Sequence, residues 1–285
     1  MATPAMLRSL TMLVYGPSKA GKSTVAATAP YPRLIFDVEG GARFLPIVPV
    51  VWDPNREEPP VADGTWDTCI VHCNDYDTLL KGYQYLQLGR HQFKSVVIDS
   101  ISELQVKLID QLVGTDQMKM QTWGQLLRSM GDLLRNLRDL TMHPTNPLEA
   151  VVLTAMQKES QDGKMKPYLQ GQIATVIPYL YDILGYIRVE EFPHPDPTLG
   201  TYKVRRLYVE STDFAEAGER VQGRLGSIVE QPDMNIDKML DRVYGARPGA
   251  EPAPASAPAE PVAEPVATPE TVVDDDPFAA EAPAS

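Results

Sequence analysis

Cysteine is scarce in this chain of 285 residues: there are two, Cys69 and Cys73. Both fall in one apolar run, 68–73, where a four-residue offset along a strand suits neither a zinc knuckle nor a disulfide framework. Buried free thiols are expected, which fits a reducing cytoplasm. Long hydrophobic runs are also missing. No apolar stretch reaches the ~20 residues that span a bilayer, and segment 7–15 reads as a core strand rather than a signal. No membrane contact is expected.

Basic residues are in deficit, 26 Lys and Arg against 38 Asp and Glu. Much of the imbalance lies in residues 246–285, where one Arg faces five Glu and three Asp, so that −5 of the total −12 is left for residues 1–245. A mildly acidic body excludes a protein that wraps nucleic acid on a continuous basic face. Any such contact must be local, ATP-assisted or weak.

The last forty residues consist mainly of Pro, Ala, Glu and Val, with Glu-Pro-Val-Ala repeated at 260–263 and 264–267. They lack the apolar surface to offset chain entropy, so the expected organisation is one folded domain, 1–245, and a disordered acidic tail, 246–285.

What is present begins at residues 16–23, Gly16-Pro17-Ser18-Lys19-Ala20-Gly21-Lys22-Ser23, followed by Thr24. This is a complete G-x-x-x-x-G-K-S motif with an apolar strand before it and a helix-compatible stretch after it. The glycines let backbone N–H groups turn onto an anion, Lys22 reaches the β and γ phosphates, and the Ser23 hydroxyl suits Mg²⁺. A helix opening near Lys22 adds the positive end of its dipole. The motif predicts a nucleotide, ATP, bound with magnesium.

Apolar runs at 11–15, 34–38, 68–72, 95–99 and 150–156 alternate with helical patterns. That alternation predicts an α/β fold, a mainly parallel sheet flanked by helices. Asp75 and Asp77 signal the start of one helix, and Ser100-Ile101-Ser102-Glu103 opens another as a capping box. The longest helix is expected at 122–142. Its stripe Trp123, Leu126, Leu127, Met130, Leu133, Leu134 and Leu137 is core; Arg128, Arg135 and Arg138, opposite, suit a solvated face or a DNA or subunit contact. Helical spacing at Ile173, Val176, Ile177 and Leu180 is disturbed by Pro178. Strands at 183–190 and 202–209 predict an antiparallel hairpin, and a helix at 236–244 closes the domain.

Asp99 closes Ser95-Val96-Val97-Ile98 and is the carboxylate expected to hold Mg²⁺ with Ser23. Asp37 and Glu39 close the strand at 34–38 and are expected on one face, since strand side chains alternate. Glu39 then sits at the carboxyl edge of the sheet, where ligands bind in open α/β folds.

The phosphate loop, an Asp-x-Glu closing the next strand, an aspartate closing Val-Val-Ile-Asp, and a polar residue closing a further strand together resemble the RecA-like ATPase core. More closely, they resemble the short phage-encoded proteins of single-strand annealing and recombination. The resemblance covers 12–244. It implies that Glu39 activates the attacking water and that Gln157 senses the γ phosphate, coupled to a DNA-contacting loop. That loop falls at 158–171, with Lys158, Lys164 and Lys166 for phosphates and Tyr168 for a base; a plain solvated loop fits as well. Segment 114–121, with Lys119, is a weaker candidate.

Also implied are a ring or filament of identical chains and a cation supplied in trans. Gln222-Gly223-Arg224 resembles the stretch that carries it, with Arg224 first and Arg220 second. The segment 273–278, Val-Asp-Asp-Asp-Pro-Phe, resembles the tip by which bacterial single-stranded DNA-binding proteins dock on replication partners, though seven residues follow Phe278. A solubilising tail is the other reading. Three further functions use the same loop: a motor or loader acting on a protein partner, a small-molecule kinase, and a nucleotide switch.

Overall fold

The computed structural model describes residues 8–114 and 119–247. The tail beyond Arg247, its 273–278 segment and part of 114–121 lie outside the described residues.

The chain opens with β1 (Leu10–Gly16), α1 (Lys22–Ala26), β2 (Arg33–Asp37), β3 (Pro49–Val51), β4 (Thr68–His72) and α2 (Tyr76–Gln87). It continues through β5 (Ser95–Asp99), α3 (Ile101–Val113), α4 (Met120–Asp139), β6 (Ala150–Glu159), β7 (Met165–Pro167) and α5 (Ile173–Leu180). The last elements are β8 (Ile183–Pro193), β9 (Thr201–Tyr208), β10 (Gly218–Glu219), β11 (Ile228–Glu230) and α6 (Ile236–Tyr244).

The strands form an 11-stranded sheet ordered β11-β9-β8-β1-β6-β5-β2-β4-β3, with β10 on β8 and β7 on β6. Along that order each successive pair from β8 to β3 is parallel, whereas β10 on β8 and β7 on β6 are antiparallel. The β8–β9 hairpin, and β11 beyond it, are antiparallel. The expected α/β architecture is therefore the observed one.

Alternation along β1 shows how the layers arise. Leu13 and Tyr15 point into a core shared with α2, α3, α4 and α5, whereas Leu10, Met12 and Val14 point into a second core with α1 and α6. A strand buried on both faces needs apolar residues at every position, which explains the continuous run. On α4, Leu126, Met130, Leu133, Leu134 and Leu137 are all buried, each leucine contributing about 2 kcal/mol of burial. Helix starts follow local chemistry: Asp75 accepts from the Thr78 N–H at 2.7 Å, and Ser100 accepts from the Glu103 N–H at 3.3 Å.

Several boundaries differ from expectation. The long helix starts at Met120 and gives way to a 3-10 turn at Leu140–Met142. The strand expected at 150–156 runs on to Glu159, because β7 gives its overhang a partner. Strands β3, β7, β10 and β11 are two or three residues long, too short for periodicity to reveal. Arg247, assigned by composition to the tail, pairs with Asp237 at 2.9 Å. Among the described residues no helix is long and apolar enough to cross a membrane.

Candidate functional site

Strand β1 ends on Gly16, the first residue of the glycine-rich loop. A Cβ at Gly16 would lie 2.1 Å from the carbonyl oxygen of Ile187 on β8, so the loop leaves the sheet only through glycine. Gly21 precedes α1 with φ 99°, a left-handed conformation that other residues rarely adopt. Helix α1 has five residues. So short a helix adds little by its dipole, and the loop amides and Lys22 must supply the attraction for an anion.

Lys22 folds back over the loop, its Nζ donating to the carbonyls of Gly16 at 3.1 Å and Pro17 at 2.9 Å. Burial lowers its pKa from the ordinary lysine value, and the negative charges of Glu39 and Asp99 oppose that shift. Both carboxylates therefore act electrostatically on the loop lysine.

Register brings the two acids together. Asp37 on β2 lies opposite Asp99 on β5, and the chain just beyond β2 clings to the end of β5. The Val38 and Glu39 N–H groups both donate to the Asp99 carbonyl, at 2.8 and 3.3 Å. The Ser100 hydroxyl donates to the Glu39 carboxylate while accepting from the helix α3 amide of Glu103. Asp99 is buried, and one of its oxygens accepts from the Thr154 hydroxyl on β6, the strand between β1 and β5. Glu39, in contrast, is exposed. An exposed carboxylate oriented by a serine, beside an ammonium and a phosphate loop, has the chemistry to polarise water next to a phosphoryl group.

The donor set also fits magnesium. Among the described residues no group of three or more His, Cys, Asp or Glu is placed to hold a metal. Mg²⁺ needs none, since it takes one or two carboxylates together with substrate phosphates. Ser23 and Asp99 offer a hydroxyl and a carboxylate, both hard oxygen donors.

A family model described as an AAA domain matches residues 8–221, from the start of β1 to beyond β10. The chain belongs to this AAA domain family. It is accordingly a nucleotide-binding ATPase of the P-loop type. No curated protein matches it.

Other predicted residues of this AAA domain fall elsewhere. Asp37 does not share a site with Glu39: β2 ends at Asp37, whose buried carboxylate turns back to accept from the Gly41 and Ala42 amides at 3.0 and 3.3 Å. It braces the turn that carries Glu39, a role sequence reasoning missed. His72 Nδ1 lies 3.4 Å from the same carboxylate.

Gln157 is not at a strand end. It sits inside β6, opposite Pro167 of β7, and its Oε1 accepts from the Tyr186 hydroxyl at 3.2 Å. Alternation sends it to the face of Leu153 and Ala155, whereas Thr154 is the β6 side chain that meets Asp99.

The segment expected as a DNA loop is largely a β6–β7 hairpin. Lys158 Nζ donates to the Leu169 carbonyl at 3.0 Å and lies 5.9 Å over the Tyr168 ring. Lys166 lies 3.8 Å from Asp162 and 3.7 Å from Glu216. Lys164 is in the hairpin between them. Tyr168 is partly exposed, but its backbone is held by Met156 and by the Ser102 hydroxyl.

Arg224 donates to the Val243 carbonyl of α6 and lines a cleft with Leu10, Asp182 and Arg220. Leu10 begins β1, so this cleft is about 20 Å from Gly16, the length of a seven-residue strand. Arg220 donates to the Tyr179 carbonyl. Neither arginine reaches the phosphate loop of its own chain.

Proposed function

We propose that this AAA domain hydrolyses ATP with Mg²⁺ and couples the reaction to the handling of single-stranded DNA, as a RecA-like protein of phage recombination or annealing. The observation that carries the hydrolytic part is the junction of Glu39 and Asp99 beside Lys22. In this reading Lys22 and the loop amides hold the phosphates, and Ser23 and Asp99 hold the metal. The bound ion neutralises charge on the phosphates and orients them. Glu39, kept in place by Ser100, takes a proton from the attacking water. Arg224 serves a neighbouring subunit of a ring or filament, which its distance from its own loop permits.

The DNA part draws on the tie between α3 and the hairpin. Ser102 accepts from the Met156 amide and donates to the Tyr168 carbonyl, and Gln105 accepts from the Gln170 amide at 2.9 Å. These bonds join the helix that follows Asp99 to the segment carrying Lys158, Lys164, Lys166 and Tyr168. One observation favours a second reading, a motor or loader acting on a protein partner: Lys158 and Lys166 are already engaged within the chain.

ATP turnover with and without single-stranded DNA, for wild type, Lys22→Ala and Glu39→Gln, separates these readings. The expected result is DNA-stimulated turnover, lost in both variants, with nucleotide binding retained in Glu39→Gln. Turnover indifferent to DNA would assign the protein-partner reading. Full turnover in Glu39→Gln would remove Glu39 from the reaction.

A further inference from the structure

Sequence reasoning placed no importance on Arg205, yet the structure lays its side chain across the phosphate loop. A Cβ built on Gly21 would meet Arg205 Nε at 2.7 Å, Cδ at 2.9 Å and Cζ at 3.1 Å. The approach follows from strand register. Arg205 lies opposite Val189 on the β8–β9 hairpin, next to the pair Ile187 and Leu207, which belongs to the core shared with α1. Its face of the hairpin is thus the face of the phosphate loop.

The neighbouring arginines are paired. Arg188 contacts Glu190, and Arg206 lies 2.9 Å from Glu190 and bonds Glu230 as well. Among the described residues Arg205 takes part in no ion pair, and its Nε is buried without a hydrogen-bond partner. A guanidinium whose buried N–H is unsatisfied is costly unless an anion arrives. The anion already expected at this spot is a nucleotide phosphate.

We infer that Arg205 is a phosphate-binding residue acting within its own chain, closing the cradle from the hairpin side. The inference rests on the nucleotide-binding reading of the loop. Because loop amides cradle the α and β phosphates whereas Lys22 reaches the β and γ, a cation beside Gly21 serves ADP and ATP alike. Its planar fork suits phosphate oxygens, which an ammonium matches less well.

The test is the affinity of the full-length chain for ATP and for ADP, in wild type, Arg205→Met, Arg205→Lys and Lys22→Ala, with melting temperatures recorded for each. Methionine keeps most of the aliphatic stem, so packing over Gly21 survives and the charge alone is lost. Arg205→Met is expected to weaken both nucleotides about tenfold, the effect of losing one charged hydrogen bond. Arg205→Lys should recover part of that loss. The loss should be the same at every protein concentration. Wild-type affinity in Arg205→Met would overturn the inference, as would a loss confined to ATP or one that appears only when chains associate. Absence of nucleotide binding in the wild type, or undiminished binding in Lys22→Ala, would overturn the underlying reading instead.

Discussion

The backbone N–H of Glu39 donates to the carbonyl oxygen of Asp99 across 3.3 Å, although the two residues are sixty positions apart in the chain. A carboxylate closing β5 and one in the turn after β2 are held by that bond and by Ser100, which follows Asp99 and bonds the Glu39 side chain. The arrangement divides the work between a buried aspartate and an exposed glutamate. Its consequences are open to measurement.

Ser100 is the hinge of this pair, since its hydroxyl serves both Glu39 and the first turn of α3. Ser100→Ala is expected to slow ATP turnover about tenfold, a fraction of what a general base contributes, and to cost about 1 kcal/mol as a lost helix cap. Nucleotide affinity should stay within a factor of about two of wild type, the loss falling on turnover rather than binding. Ser100→Thr should behave like wild type. Equal loss in both variants would show that the hydroxyl is not the acting group.

Gly16→Ala tests the departure of the loop from the sheet. The new methyl would meet the Ile187 carbonyl, a backbone atom that cannot move alone. A destabilisation of about 2 kcal/mol is expected, lowering the melting temperature by about 5 °C. Nucleotide binding should be lost as well. An unchanged melting curve would contradict the close approach of β1 and β8.

His91 should make the fold acid-sensitive. It is buried, its Nδ1 faces the Asn146 side-chain amide at 3.2 Å, and burial, reinforced by His143, pushes its pKa down to about 4. From about pH 6.5, the unfolded value, down to about 4, the unfolded chain binds a proton that the folded chain refuses. Stability is therefore expected to fall through that window by about 2 kcal/mol, after allowance for partial solvent access, and to level off below it. Urea unfolding at pH 7 and pH 5 measures this, and His91→Phe should remove most of the difference. An equal pH dependence in the variant would point to other groups.

Cys69 and Cys73 are buried and free, with thiols pushed up to about 12 by burial. Their thiolate population near neutral pH falls by about three orders of magnitude relative to an exposed cysteine. A thiol-reactive disulfide reagent is expected to label neither residue in the native chain and both after denaturation. Rapid native labelling would show that β4 opens readily.

The phosphate loop and the strand–helix alternation were legible because each is written in consecutive residues. A glycine pattern, an apolar run or a capping serine acts over a few positions, and the chemistry that selects it is local. The aspartate closing β5 was legible for the same reason. The tie between Asp99 and Thr154 was not, because it depends on β6 lying between β1 and β5, and strand order is fixed only when all helices pack on the sheet. Gln157 misled because β7 lengthens its strand.

Sequence alone determined that this chain folds as an α/β domain and presents a phosphate loop, since periodicity and backbone chemistry act along the chain. Tertiary structure decided which side chains gather at that loop. It drew in Glu39, Ser100, Thr154 and Arg205, turned the Gln157 side chain to the other face of the sheet, left Arg220 and Arg224 at the far end of β1, and engaged Lys158 and Lys166 within the hairpin. The reason is geometric: register and alternation place a side chain to within one residue on one face of a sheet, and both are settled by pairing between distant segments.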